Sequence, residues 1–395
     1  MVRGTLQKLR RFFHDEEEAR EPCMALALSG GGARASYQVG VLKYIAEAFP
    51  EARFPVLTGV SAGAINAAHL ANDPNPFSVA LDDLVSCWEE LRAENVYQSE
   101  SSIKFFWRAL QDAEARGHRH GWVDTTPLRE FLMHKLHLED GRLTHVAERL
   151  ERGHLKAVAI ITTSYATGQT VVWVQGCNIQ AWERPNRVAV QTELTIDHVM
   201  ASSSLPFLFP AVRIGDAWYG DGGIRLSAPL APAIHLGADG ILAISTRYNR
   251  TRREADEPNV VGYPPAAQII GLLMNAIFLD TLDQDAAMLE RINRMLEMLP
   301  EKKRMGMRPI RFLLLRPSVD LGKLSREFEP QLHGVLKLLA RVFSSDRTKS
   351  PDWLSMLLFD RGYTARLMEI GYEDAVRQHH RIAAFLESTT RSRAA

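Results

Sequence analysis

Residues 54–71 of this 395-residue chain read FPVLTGVSAGAINAAHLA, and this stretch decides the fold. Phe54 to Thr58 is a short apolar run, which is typical of a buried strand. Ala62 to Ala71 is rich in small residues and predicts a helix. Between them, Gly59-Val60-Ser61-Ala62-Gly63 places one serine at a strand-to-helix junction.

The same order of elements comes once before this stretch. Residues 23–35 read CMALALSGGGARA, in which Cys23 to Leu28 predicts a buried strand that enters a turn of three glycines. Ala33 to Phe49 carries apolar residues at helical spacing and predicts the next helix, which ends before Pro50. Strand, helix, strand, helix is the beginning of an α/β fold with a parallel sheet.

The rest of the chain adds further strands to this beginning. Two strands, Ala157 to Thr163 and Thr170 to Gln175, are predicted to form a hairpin or to be adjacent, and a second hairpin is predicted from Val212 to Tyr219. Ala266 to Leu299 has the spacing of one long amphipathic helix. Ile310 to Leu315 predicts a strand that rejoins the sheet. This order indicates one α/β domain followed by a helical C-terminal extension.

Charge and cysteine content narrow the class of protein. Lys plus Arg and Asp plus Glu both number 47, so the net charge gives no indication of a nucleic-acid partner. The three cysteines, Cys23, Cys87 and Cys177, are few and widely spaced. This fits a reducing compartment without a disulfide framework, and their spacing does not match a zinc site.

The N-terminus and the apolar runs bear on location. Residues 1–22 lack the apolar stretch of a secretory signal, and Ile269 to Leu279 is too short to span a bilayer. We therefore expect a cytoplasmic protein. Leu6, Leu9 and Phe13 can share a helix face beside basic residues, which would suit peripheral contact with the inner membrane surface. A frayed or docked terminal helix is the alternative.

Ser61 is the candidate nucleophile. A G-x-S-x-G sequence between a strand and a helix is typical of a nucleophile elbow, in which small neighbours let the serine occupy a strained, exposed turn. The helix N-terminus behind Ser61 also favours negative charge that develops there. The alternative is a glycine-rich turn that carries a serine facing solvent.

The run Gly30-Gly31-Gly32 is the candidate oxyanion-binding loop. Acyl transfer needs backbone N–H groups aimed at a tetrahedral oxyanion, and glycines let the backbone approach that oxygen closely. Gly30, Gly32 and Ala35 also match the dinucleotide fingerprint G-x-G-x-x-G/A. That fingerprint expects a carboxylate at the end of the second strand, where Thr58 to Ser61 has none, which counts against a nucleotide site.

Asp221 is the candidate catalytic carboxylate. It lies in Gly220-Asp221-Gly222-Gly223, directly after the second predicted hairpin. A carboxylate among glycines is held on a tight turn with little side-chain bulk around it. The alternative is an ordinary Asp-Gly turn, which is frequent in hairpins.

Taken in order, S-G-G-G-A-R, G-V-S-A-G and D-G-G resemble the motifs of the patatin-like phospholipase family. S-S-S-L-P-F-L-F-P before D-G-G and G-L-L-M-N-A-I-F-L-D after it add to the resemblance, which extends from Ala25 to Pro317. It implies a three-layer α/β/α sandwich with a mostly parallel central sheet. We accordingly expect an N-terminal segment at 1–22, a catalytic domain at 23–317 and a helical C-terminal extension at 318–395.

The resemblance also implies the chemistry. Members of this family hydrolyse acyl esters of lipids with a Ser–Asp dyad and without a metal or cofactor. Carried over by motif, Ser61 would be the nucleophile, Asp221 the base, and Gly31 and Gly32 the oxyanion donors. Arg34 matches a basic position of the glycine motif, where an anion or substrate contact and an exposed helix charge are both open.

Two alternatives to the dyad enzyme are left open. A catalytically silent lipid-binding or regulatory module would keep the same fold without the reaction. A Ser–His–Asp esterase would place its histidine late in the chain, for which His333 is the candidate. Under the dyad hypothesis no histidine takes part, including His379 and His380 of the terminal helix.

Overall fold

The computed structural model describes residues 22–97, 123–206, 208–256, 263, 266–331 and 354–387. The sequence hypotheses on Leu6, Leu9 and Phe13 and on His333 concern residues outside these ranges. Within them, the chain forms a mixed β-sheet between two layers of helices.

The strands of the described residues form one sheet. In chain order they are β1 (Met24–Leu28), β2 (Val56–Val60), β3 (Ala157–Ser164), β4 (Thr170–Gly176), β5 (Glu183–Arg184), β6 (Arg187–Gln191), β7 (Val212–Ile214), β8 (Ala217–Asp221), β9 (Gly240–Ile244) and β10 (Arg311–Leu315). The run β10-β9-β1-β2-β3 is parallel throughout. Beyond β3 the sheet is mixed. Strands β4 and β8 both pair antiparallel with β3, and β7 pairs antiparallel with β8. On the other side of β4, β6 pairs parallel with β4, and β5 pairs antiparallel with β6. Both predicted hairpins and the late strand that rejoins the sheet are confirmed.

Helices connect these strands and form the outer layers. They are α1 (Ser36–Ala48), α2 (Ala62–Asn72), α3 (Phe77–Glu90), α4 (Ala93–Val96), α5 (Thr126–Lys135), α6 (Thr144–Glu151), α7 (Ile196–Ser202), α8 (Ala231–His235), α9 (Arg252–Asp256), α10 (Ala266–Phe278), α11 (Thr281–Glu297), α12 (Leu321–Leu324), α13 (Leu354–Leu357), α14 (Arg361–Arg377) and α15 (His379–Glu387). Short 3-10 turns lie at Gly32–Ala35, Gly222–Ile224, Glu301–Lys303 and Ser325–Gln331. The first predicted helix therefore begins with a 3-10 turn, which leads directly from the glycine run into α1.

The sheet carries a hydrophobic core on each face. On β1, Leu26 and Leu28 belong to one core and Ala25 and Ala27 to the other, as the alternation of side chains along a strand requires. All four are buried, which is the near-continuous apolar pattern of a parallel strand covered on two sides. Helices α1, α2 and α3 contribute to the first core, and α8 and α11 to the second. The expected three-layer α/β/α sandwich with a parallel centre is confirmed.

The predicted single helix from Ala266 to Leu299 is wrong, because the structure has two helices, α10 and α11. The N–H groups of Leu279 and Asp280 both donate to the carbonyl of Asn275, at 2.9 and 3.1 Å, where α10 ends. Asp280 then pairs with Arg247 at 2.8 Å, and Leu279 is buried. The break contains neither glycine nor proline, and the apolar residues keep their helical spacing across it. The sequence pattern therefore gave no sign that the helix ends there.

The C-terminal extension packs directly on α1. Helix α14 lies so close to α1 that a side chain at Gly40 would meet the carbonyl of Met368, and one at Gly371 would meet the carbonyl of Tyr37. The Tyr37 hydroxyl also donates to the buried carboxylate of Asp374 at 3.2 Å. The extension is therefore part of the helical layer that covers the first core.

Candidate active site

Ser61 lies at the carboxyl end of β2, where the chain turns into α2. Its backbone has φ 56° and ψ −134°, a region that few residues other than glycine adopt. The turn needs glycine nearby, because a Cβ at Gly63 would lie 2.5 Å from the carbonyl oxygen of Ser29. The hydroxyl thus stands at the N-terminus of an 11-residue helix, in the geometry of a nucleophile elbow.

Asp221 is the last residue of β8, and its backbone is held on both sides. Its N–H donates to the carbonyl of Ser204 at 3.0 Å, and its own carbonyl accepts from the Thr163 hydroxyl at 2.9 Å. The carboxylate oxygen Oδ1 accepts from the N–H of Gly223 at 2.8 Å. Because the residue is fully buried, the carboxylate is fixed in place before any substrate arrives.

Three consecutive serines at the end of α7 hold both candidate residues. The Ser202 hydroxyl accepts from the N–H of Ser61 at 3.0 Å and donates to the carbonyl of Ile161 on β3 at 2.6 Å. The Ser203 hydroxyl donates to the Ser61 carbonyl at 3.2 Å. Since Ser204 in turn accepts from Asp221, one short segment sets the position of two residues that are far apart in the sequence.

The electrostatics of Asp221 suit a base. Burial raises its pKa from the ordinary 3.8 to about 7, and interactions with the Ser61 side chain and the Gly223 N–H, which favour the charged form, offset only part of that effect. Oδ2 has no hydrogen-bond partner among the described residues. A buried carboxylate with a pKa near neutrality and one unoccupied oxygen can take a proton from a neighbouring hydroxyl.

Gly31 and Gly32 line the same cavity as Ser61. Their φ values, +146° and +56°, are ones that residues with side chains rarely adopt. The Thr246 hydroxyl donates to the carbonyl of Gly30 at 2.8 Å and ties the loop to the end of β9. The hydrogen bonds within the described part of the chain leave the N–H groups of both glycines unused, so they are available to an oxyanion.

Arg34 is buried, so the exposed helix charge considered from the sequence is wrong. Its Nε donates to the hydroxyl of Ser355 in the C-terminal extension at 2.7 Å. Arg34 is not among the residues that line the cavity. The structure therefore directs this guanidinium toward the C-terminal extension, and its contact with an anion or substrate stays a prediction.

The cavity beside Ser61 is small and apolar. Its volume is about 40 Å³, whereas pockets that hold drug-sized ligands measure about 300–1,000 Å³. Apart from Ser61, Ser203 and the two glycines, its walls are hydrophobic and come from both the catalytic core and the C-terminal extension. These wall residues are Ala62, Ile65, Leu91, Val96, Leu128, Leu205, Phe209, Phe278, Met356, Leu357 and Phe359. A drug-sized ligand would fit only if one wall moved.

None of the histidines in the described ranges lines this cavity. His69 and His198 are buried, and burial is the largest cause that lowers the pKa of each to about 4, so both are neutral at pH 7. His379 stacks on Phe49 and hydrogen-bonds to Tyr44 through its Nδ1 at 2.8 Å. Within the described ranges, His, Cys, Asp and Glu side chains form no group of three or more that could hold a metal ion.

Three features of the site were given no role in the sequence analysis. The roles of Ser202 to Ser204 follow from their contacts with Ser61 and Asp221, which only the fold brings together. The run of three hydroxyl side chains was a sequence signal that could have pointed to this segment. The N–H of Ala62 is likewise unused by the hydrogen bonds of the described residues, and the residue after a nucleophile is a common oxyanion donor. The wall from Met356 to Phe359 had no sequence signal.

Comparisons with known proteins agree with the assigned motifs. The family model of the patatin-like phospholipases matches residues 26–234. Calcium-independent phospholipase A2-gamma of Rattus norvegicus is 23% identical over 361 residues, which is 84% of this chain and 42% of that protein. The chain thus spans about two fifths of the length of this curated relative.

Among solved structures, the chain is similar to human GIVD cytosolic phospholipase A2 in complex with methyl gamma-linolenyl fluorophosphonate. The TM-score is 0.46 at 14% identity, over 95% of this chain and 60% of that one. VipD from Legionella pneumophila gives a TM-score of 0.36 at 12% identity, over 94% of this chain and 68% of that one. The family model covers more than half of the sequence, including Ser61 and Asp221. The chain therefore belongs to the patatin-like phospholipase family.

Proposed function

We propose that this protein is a lipid acyl hydrolase that cleaves carboxylic esters through an acyl-enzyme on Ser61, with Asp221 as the base. The observation that carries the proposal is the pairing of a strained serine with a fully buried carboxylate whose pKa is raised to about 7. Membership of the patatin-like phospholipase family supports lipids as the substrate class.

The first step forms the acyl-enzyme. Asp221 accepts the hydroxyl proton of Ser61 through Oδ2, and the serine oxygen bonds to the ester carbonyl carbon. The carbonyl oxygen becomes an oxyanion, to which the N–H groups of Gly31 and Gly32 donate, with Ala62 as a third donor. Collapse of the tetrahedral intermediate breaks the ester bond, and the leaving alkoxide takes the proton from Asp221.

The second step releases the fatty acid. Asp221, again ionised, accepts a proton from water, and the resulting hydroxide attacks the acyl carbon. A second oxyanion forms at the same donors, and Ser61 leaves with the proton that Asp221 returns. The carboxylate acts as base and then as acid in each half, which a pKa near the working pH favours.

The C-terminal extension belongs to this enzyme unit. We keep the proposed boundaries of 23–317 for the catalytic domain and 318–395 for the extension. Met356, Leu357 and Phe359 line the cavity beside Ser61, so removal of the extension would open the acyl site to solvent.

Active-site labelling tests the proposal against its two alternatives. A fluorophosphonate probe should label the wild-type chain at Ser61, as read by peptide mass spectrometry, and Ser61→Ala should lose both labelling and hydrolysis of a long-chain phospholipid. Ser78→Ala, at an exposed serine on α3, is the matched control and should behave as wild type. An unlabelled and inactive wild-type chain would favour the silent lipid-binding module. Loss of labelling in His333→Ala would favour the Ser–His–Asp esterase.

A further inference from the structure

Helix α10 exposes an apolar face to solvent. Its 13 residues, AAQIIGLLMNAIF, contain no Asp, Glu, Lys or Arg. Ile269, Leu272 and Leu273 are 45%, 61% and 56% exposed. Their spacing places the three side chains on one side of the helix, and we call them the outer face of α10.

The opposite side of α10 is apolar as well. Gly271 and Phe278 are buried, and Met274 packs against the first core. Gln268 and Asn275 are the two polar residues of α10, and neither is charged. A surface helix of a soluble protein carries a polar outer side, whereas an apolar outer side is typical of contact with another surface or with lipid. None of the described helices is long and apolar enough to cross a membrane. If α10 contacts lipid, the helix therefore lies along the surface of a bilayer.

The position of α10 connects its outer face to the candidate active site. Phe278, its last residue, is one wall of the cavity beside Ser61. A Cβ at Gly223, whose N–H binds Asp221, would contact the Phe278 ring, so the two residues are in close contact. The same helix thus carries an exposed apolar face and ends at one wall of the cavity beside Ser61.

We propose that the outer face of α10 is the surface by which this protein docks on a phospholipid bilayer. The choice of a lipid surface rests on the proposed function, because the helix ends at the site that must receive an acyl chain. Insertion of Ile269, Leu272 and Leu273 among the lipid acyl chains removes their exposed apolar area from water. It also places the helix that ends at a wall of the cavity against the layer that contains the substrate.

The test measures vesicle binding separately from hydrolysis. Full-length protein with Ser61→Ala, which leaves the lipid intact, is floated with phosphatidylcholine vesicles. Adding Leu272→Gln and Leu273→Gln should lower the partition coefficient at least about tenfold, because two half-exposed leucines lose their transfer to lipid. The matched control is Val79→Gln, which changes a 43% exposed side chain on α3 and should bind as the parent does. Circular dichroism and thermal unfolding confirm that each variant is folded.

The outcomes separate this inference from the proposed function. Equal vesicle binding by the double variant and its parent would overturn the docking surface, even if the wild-type enzyme hydrolyses phospholipid. Binding that depends on Leu272 and Leu273 in a protein without hydrolase activity would uphold the surface and refute the function. If the double variant changes a dimer into a monomer on size-exclusion chromatography and binds vesicles normally, a second copy of the chain covers the face and the inference is wrong.

Discussion

Replacing Asp221 with Asn should abolish hydrolysis and at the same time stabilise the folded protein at neutral pH. The carboxylate is fully buried, and burial raises its pKa from 3.8 to about 7. Asn keeps an oxygen that can accept from the Gly223 N–H, but it cannot take a proton from Ser61. In the proposed mechanism, the buried charge of Asp221 destabilises the fold at neutral pH and supplies the base that the reaction needs.

The sign of the stability effect follows from proton binding. Between pH 3.8 and 7 the folded state holds a proton on Asp221 that the unfolded state has released, so the free energy of unfolding falls as pH rises. The stabilisation is fully present below pH 3.8 and is lost as pH rises through 7. Between pH 5 and pH 8 the loss amounts to about 2–3 kcal/mol, and Asn, which does not titrate, escapes it.

Chemical denaturation at pH 5 and pH 8 measures this difference. Asp221→Asn should gain about 2–3 kcal/mol relative to wild type on going from pH 5 to pH 8. Asp216→Asn, in the exposed turn of the same hairpin, is the matched control and should show no such gain. In wild type, kcat/KM on a soluble short-chain ester should fall with acidity, to about one hundredth of its plateau at pH 5. An activity inflection below pH 5, or an Asn variant that is less stable than wild type at pH 8, would refute the reasoning.

Three further predictions concern the groups around the proposed dyad. Gly32→Ala should lower kcat by about 100-fold or more, because its Cβ meets the carbonyl of Met356 and displaces the oxyanion loop. Gly215→Ala, with nearly the same φ and open space around it, is the control for backbone strain and should keep full kcat. Ser202→Ala should lower kcat and the urea midpoint together, since two buried hydrogen bonds are lost. His379→Ala should leave kcat/KM unchanged, and an effect as large as that of Ser61→Ala would contradict the dyad.

The sequence predicted the fold because its signals are local. The glycine run, the G-x-S-x-G turn and the D-G-G turn each lie at a strand end, and alternating strands and helices constrain the sheet between them. The break between α10 and α11 could not be predicted from the sequence. At this break Asp280 forms an ion pair with Arg247, which is distant in the sequence. Such a contact leaves no mark in the spacing of apolar residues.

The candidate site shows the same division. Ser61 and Asp221 were predicted from the motifs, and the structure brings their side chains close enough for Ser61 to lower the pKa of Asp221. The direction of the Asp221 pKa shift could not be predicted, because burial and neighbouring N–H groups act in opposite senses. The structure decides it, since one oxygen receives a single N–H bond, the other has no partner among the described residues, and burial is the largest effect.

Two walls of the cavity could move to admit a ligand: Met356 of the C-terminal extension and Phe278 of α10. They differ in which neighbouring groups their movement would disturb. The carbonyl of Met356 packs against Gly32, and Arg34, two residues further along the same loop, is hydrogen-bonded to Ser355. Displacing this C-terminal wall would therefore shift the loop that carries the oxyanion donors. Phe278 instead ends a helix whose outer face is exposed, and its close contact is with Gly223 rather than with the loop of Gly31 and Gly32. In our proposal, docking of α10 on a bilayer and opening of the cavity are consequently one event, so activity on a short-chain ester should rise where the substrate begins to aggregate.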